Sequence, residues 1–190
     1  MALVEQTAPS VEPLSTAEAK SHIRVDTSDD DTLIDFYIKA ARQDRENFTR
    51  RAFITQTWDL YLDAFPGSSV IELPKPPLQS VTHIKYTDAD GNESTFSSAS
   101  YQVDIYSEPG RIVLKSGYSW PSDTLQVANG VNIQFVCGYG DAGSDVPENF
   151  RRAIALIVGS LYENREDVSV TQLFSIPRGA DLLCWPNRFW

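Results

Sequence analysis

The sequence predicts an α+β fold: a three-helix base, an inserted antiparallel β-rich region and an extended C-terminal arm. Three observations lead there. Apolar residues recur at helical spacing towards both ends of the chain, alternate with period two through its middle, and gather with two prolines in an aromatic cluster at its C-terminus. The organisation expected is a flexible lead over residues 1–13, a main domain over 14–167 with its β-rich insertion at about 54–139, and an arm over 168–190.

The lead is small, polar and proline-containing. Ser15-Thr16-Ala17-Glu18 matches a capping box with Leu14 as flanking apolar residue, which starts a short helix over about 15–23. Asp29, Asp30 and Asp31 precede a second helix over about 31–49, where carboxylates complement the positive helix end. Leu33, Ile34, Tyr37, Ala40, Ala41 and Phe48 recur on one of its faces. From Thr55 to Val136 about six short strands follow, carried by Trp58-Leu60-Leu62, Val70-Ile71-Leu73, Val81-Ile84-Tyr86, Tyr101-Val103-Ile105, Ile112-Val113-Leu114 and Val131-Ile133-Phe135. The turn chemistry between them, such as Asp88-Ala89-Asp90-Gly91 and Asn129-Gly130, favours hairpins over crossovers. Pro147 opens a third helix that runs to about Arg165. Its residues Phe150, Ile154, Ile157, Val158 and Leu161 make it apolar nearly all round, so it either fills the core or packs on a neighbouring copy.

The C-terminus carries Leu182, Leu183, Trp185, Phe189 and Trp190, too many large apolar side chains for a solvated tail. Pro177 and Pro186 argue against one regular element, so an extended arm docked on its own domain or on a partner is expected.

A length of 190 residues with 42% apolar content suffices for one core plus an appendage. The net charge of −10 repels phosphate backbones, which argues against nucleic-acid binding but suits a wall past which DNA slides. Cys137 and Cys184 are expected as free thiols in a reducing compartment. The N-terminus lacks the basic and apolar regions of a signal peptide, and the longest apolar run, Ala153 to Val158, is too short to span a membrane.

No constellation for catalysis or metal binding emerges. Gly138-Tyr139-Gly140-Asp141-Ala142-Gly143 spells a dinucleotide fingerprint, yet the helix opens only at Pro147 and no strand follows, so the glycines read as a connection with positive φ. Asp88-Ala89-Asp90-Gly91 begins like a calcium loop, but its glycine comes early and the bidentate Glu is missing, which leaves a hairpin turn. The Asp29–Asp31 triplet reads as helix capping rather than a metal site. His22 and His83 have no partner nucleophile, and zinc would need both histidines and both cysteines to converge from four distant places. Asn47 and Asn92 are formal glycosylation acceptors that mean nothing without secretion. Trp58 and Trp120 leave open a carbohydrate- or receptor-binding β module. A small hydrolase is the third competing class.

The order of motifs resembles the head–tail connector (adaptor) proteins of long-tailed phages. The resemblance rests on Leu14 to Asp26 with the Asp-rich helix start, Ile54-Thr55-Gln56-Thr57-Trp58, Leu73 to Val81, Trp120-Pro121, Gly138-Tyr139-Gly140, Val146-Pro147 and Leu161 to Glu166. It extends over about Leu14 to Arg188, with Arg50 standing where a helix-closing glycine is expected. The resemblance implies a structural, non-enzymatic ring of twelve subunits, without cofactor or metal, that continues the DNA channel beneath the portal. Phage-derived gene transfer agents use similar adaptors. The implied place is the head–tail junction of the virion, after assembly in the host cytoplasm, between the portal protein and a stopper or tail-completion protein. In this setting Arg178, Leu182, Leu183, Trp185, Arg188, Phe189 and Trp190 are the expected portal-binding residues, aromatics as anchors and arginines as partners for carboxylates. Phe150, Ile154, Ile157, Val158 and Leu161 are the expected contacts between subunits.

Overall fold

The computed structural model describes residues 1–164 and 178–189. It has an α+β fold that divides into two compact units: Met1–Pro9 with Thr55–Gly138, and Ser10–Ile54 with Tyr139–Trp190.

The first unit is β-rich. Its five-stranded antiparallel sheet has the order β1 (Ala2–Thr7), β2 (Gln56–Leu62), β8 (Val131–Cys137), β4 (Leu78–Thr87), β5 (Glu93–Thr95). A three-stranded sheet is formed by β3 (Val70–Glu72), β7 (Arg111–Leu114) and β6 (Tyr101–Asp104). Burial alternates without a break along the central strand β8, where Val131, Ile133 and Phe135 are inward. Register pairs Leu60 of β2 with Ile133 and Trp58 with Phe135, which places one apolar set on one face. An aromatic cluster sits beside this core: Phe65 stacks on Trp120 at 5.2 Å, and Phe96 packs against both Trp120 and Tyr101.

Strand β1 corrects the expectation of a flexible lead. Ala2 to Thr7 pair antiparallel with Tyr61 to Thr57, and backbone hydrogen bonds rather than side-chain burial hold them, since only Leu3 in that strand is shielded from solvent. Edge strands β1 and β5 are exposed on their side chains, so neither shows an alternating apolar pattern.

The second unit is helical. Helix α1 (Thr16–Ile23) starts with the capping box, Ser15 and Glu18 each capping the other's backbone N–H. Helix α2 (Asp31–Thr49) presents Ile34, Ile38 and Ala41 to the core, and α3 (Glu148–Glu163) presents Phe150, Ala153, Ile154 and Val158. The rings of Phe53 and Phe150 stack with centroids 4.7 Å apart. A fourth helix, α4 (Arg178–Cys184), runs into a 3-10 turn at Trp185–Asn187. The extended form expected for the arm is therefore wrong for residues 178–187. Pro186 occupies the first turn of the 3-10 segment, a position where a missing N–H costs nothing, and Pro177 lies outside the described residues.

Arg50 closes α2 in the left-handed conformation, φ 58°, and its N–H bonds to the carbonyl of Glu46. The helix ends where a glycine would end it, at the cost of steric strain on a residue with a Cβ. Because the Arg50 side chain is exposed, Arg50→Gly is expected to stabilise the chain by about 0.5–1 kcal/mol. A rise in the denaturation midpoint at unchanged slope is the expected readout.

Candidate functional site

The last two turns of α2 carry charge on the side that faces inward. Arg42, Arg45, Glu46 and Thr49 are all buried there. Arg42 donates to Glu46 Oε2 at 2.7 Å and to Glu12 Oε2 at 2.7 Å, while Glu46 Oε1 accepts the N–H of Phe53 at 2.8 Å. Each of these buried charges thus has an opposite charge and a hydrogen bond, the condition under which burial is tolerated.

One turn along, the same face holds the C-terminal segment. Arg45 Nη1 donates to Asp181 Oδ1 at 2.6 Å, Asn149 Nδ2 donates to the carbonyl of Leu183 at 3.0 Å, and the N–H of Phe189 donates to the carbonyl of Thr49 at 2.9 Å. Arg51 Nε donates to the carbonyl of Asn187. The guanidinium of Arg45 lies 4.7 Å from the centre of the Phe48 ring, and that of Arg188 lies 5.1 Å from the same ring and 5.7 Å from Trp185. Ala180 and Cys184 are fully buried in the helical core, and burial pushes the Cys184 thiol above its ordinary pKa, which leaves it a packing residue rather than a nucleophile.

This geometry sorts the expected docking residues. Leu182 is 70% exposed and faces solvent, Trp185 is 52% exposed with its ring also against Phe48, Leu183 packs against the core and Phe189 is half-buried. Arg178 opens α4; Trp190 and the stretch 165–177 lie outside the described residues. The segment has a home within its own subunit, on helices α2 and α3 rather than on a β layer.

The expected subunit contacts need correction at Phe150, Ile154 and Val158. All three are shut into the core of their own unit, because α1, α2 and α4 each pack against α3 and close most of its circumference. Ile157 and Leu161 are half-buried.

The remaining candidates resolve into structural parts. Gly138 has φ 126°, but Gly140 and Gly143 are needed for close approach: a Cβ on Gly143 would stand 2.9 Å from the carbonyl oxygens of Glu12 and Pro13, and one on Gly140 would strike the Asp145 carboxylate. Asp88 Oδ1 accepts the N–H groups of Asp90 and Asn92, the wiring of a hairpin turn. Asp30 occupies the N-cap of α2 without capping it and instead accepts from the Tyr162 hydroxyl at 2.6 Å, while Asp31 pairs with Lys20. His22 is exposed on α1 and His83 half-buried on β4. Among the described residues no three His, Cys, Asp or Glu side chains converge on a metal-sized site, and no helix is long and apolar enough to cross a membrane. Lys75 lies over the Trp58 ring at 4.7 Å, and Trp120 Nε1 donates to Ser68 while its ring is stacked, so both indoles are engaged within the chain.

Residues 15–108 match the model of the phage gp6-like head–tail connector proteins. No curated protein matches the chain. Among solved structures, a chain in the neck of an empty gene transfer agent particle computed with C6 symmetry superposes with a TM-score of 0.83 at 28% identity, over 99% of this chain and 95% of that one. Chains from the virion of a native gene transfer agent and from its neck computed with C12 symmetry each give 0.81 at 26% identity with the same coverage. By this match and these likenesses the chain is a head–tail connector protein, with the phage gp6-like connector match over residues 15–108.

Proposed function

We propose that this connector works by closing into a ring of twelve copies at the head–tail junction of a tailed phage or gene transfer agent particle. The portal protein lies on one side of that ring and a stopper or tail-completion protein on the other. The observation that carries the proposal is the likeness, along nearly the whole chain, to neck subunits that include one from a neck computed with C12 symmetry. The net charge of −10 fits a lumen through which DNA moves without being held. The role requires no reaction, cofactor or metal. A carbohydrate-binding module is the weaker reading, since both indoles of the β-rich unit are engaged within the chain, Trp58 beneath Lys75 and Trp120 against Phe65 and Phe96. The virion is the place of action, reached after assembly in the host cytoplasm.

The portal contact is assigned to the C-terminal segment, with Leu182 and Trp185 as its outward anchors and Arg178, Leu183, Arg188, Phe189 and Trp190 completing or supporting the surface. Particle mass and electron-microscope images of the purified protein with portals test this reading. Closed rings seated at the portal vertex are expected, and a protein that never leaves the monomeric state, alone or with portals, sinks it. The Leu182→Ser/Trp185→Ser variant should stay folded with a loss of about 1 kcal/mol, because Leu182 is largely in solvent and Trp185 gives up its packing against Phe48 and Arg188. Its incorporation into portal complexes should fall about tenfold or more, since each lost anchor is repeated around the ring. Normal incorporation removes the two residues from the interface.

A further inference from the structure

The second turn of α2 carries an aromatic side chain turned largely to solvent: Phe36 is 64% exposed, with its ring tilted towards that of Tyr37, at 6.0 Å between centroids. On the same helix, an open groove of about 480 Å³ is bordered by Val11, Leu14, Ile38, Glu12, Asp35 and Lys39. Successive helical residues point about 100° apart, so Asp35 and Lys39, on the groove side, flank a direction that differs from that of Phe36. Phe36 and the groove therefore lie on different faces of one helix. A ring built from one kind of subunit needs that arrangement, because its repeated contact joins two unlike patches, one from each copy.

We propose that Phe36 of one copy seats in the Val11–Leu14–Ile38 groove of the next and is the central anchor of the ring contact. The inference rests on the ring reading above. The groove matches an aromatic ring in chemistry and size: Leu14 and Ile38 provide a buried apolar floor, Val11 an apolar wall that is 42% exposed, and the volume lies in the range of small-ligand sites. Lys39 lines the groove and can lay its ammonium over the face of the seated ring, which attracts a cation. Water leaves both partners when the ring enters, which gives Phe36 the character of a hot-spot residue surrounded by a polar margin. The chain that enters the groove is one of the same sequence, so no further partner has to be supplied.

The test uses the full chain under conditions in which the wild type forms rings by mass and electron microscopy. Thr32 is exposed one turn before Phe36 on the same face, and Val11 borders the groove. The double variant Thr32→Cys/Val11→Cys, treated with a short bismaleimide, should give a ladder of covalent species above the dimer, because each copy offers one thiol to each neighbour. The native Cys137 and Cys184 are buried and should not react. Each single variant should stop at the dimer or below. Phe36→Glu should remain folded, since the side chain is exposed, yet lose at least about tenfold in ring formation. If the double variant gives no ladder, or Phe36→Glu forms rings as the wild type does, the inference is overturned and the ring reading stands. If the wild type forms no ring in solution or on portals, the ring reading fails and takes the inference with it.

Discussion

Deletion of residues 180–190 is expected to destabilise the helical unit by about 3–5 kcal/mol, a large fraction of the stability of an ordinary domain. Ala180 and Cys184 are fully enclosed and Leu183 packs beside them, so their loss opens a cavity against α3. Arg45 would keep only the carboxylate of Asp44, 56% exposed, in place of two partners, and a buried arginine deprived of a partner is costly. The carbonyl of Thr49 and the guanidinium of Arg51 would lose their bonds to Phe189 and Asn187. Helical circular dichroism followed through a denaturant titration reads the effect. A midpoint equal to that of the full chain would show that the segment contributes nothing to its own core. The consequence for function is practical: a truncated chain that fails to join portals would be failing for want of a fold, whereas substitution of the outward Leu182, alone or with Trp185, tests docking in a chain that stays folded.

Local signals carried much of this architecture. Ser15 and Glu18 are spaced for the capping box they form, and the alternation of Val131, Ile133 and Phe135 reads directly as the central strand. Six strands were legible because each buries one face. Strands β1 and β5 were not, because their pairing is a property of the backbone and of the strand they meet. The C-terminal segment was legible as something that must be buried, but its destination was hidden. The side chain that holds it, Arg45, is charged, and a charged residue on a helix ordinarily signals solvent. The available clue was spacing: Ile38, Ala41, Arg42, Arg45, Glu46 and Thr49 continue one inward stripe along α2, with charge replacing apolar residues just where a carboxylate from elsewhere must arrive. Phe36 was partly legible, since at helical spacing it falls off the stripe of Leu33, Ile34, Tyr37, Ala40 and Ala41, but nothing in the sequence said what an aromatic turned away from the core would meet.

Helix α3 is the case in which apolar character pointed to two outcomes at once, and a charge placed on it separates them. Val158→Asp should unfold the helical unit of the isolated subunit, with a loss of about 4 kcal/mol or more, because Val158 is fully buried within the apolar cluster and its replacement puts a carboxylate there. Leu161→Asp is expected to behave differently. Leu161 is half-buried near the end of the helix, where the new carboxylate can reach water, so the loss should be about 1–2 kcal/mol and the subunit should stay folded. Thermal melts of the two variants at equal concentration compare them directly. If Val158→Asp melts with the wild type while ring formation is lost, then the face of α3 that carries Phe150, Ile154 and Val158 meets a neighbour after all, and the enclosure of α3 by α1, α2 and α4 is not the state of the free subunit. If both variants unfold, the whole circumference of α3 is core. The contact between subunits must then be sought away from α3, and the exposed face of α2 is the place where an unburied aromatic side chain waits for one.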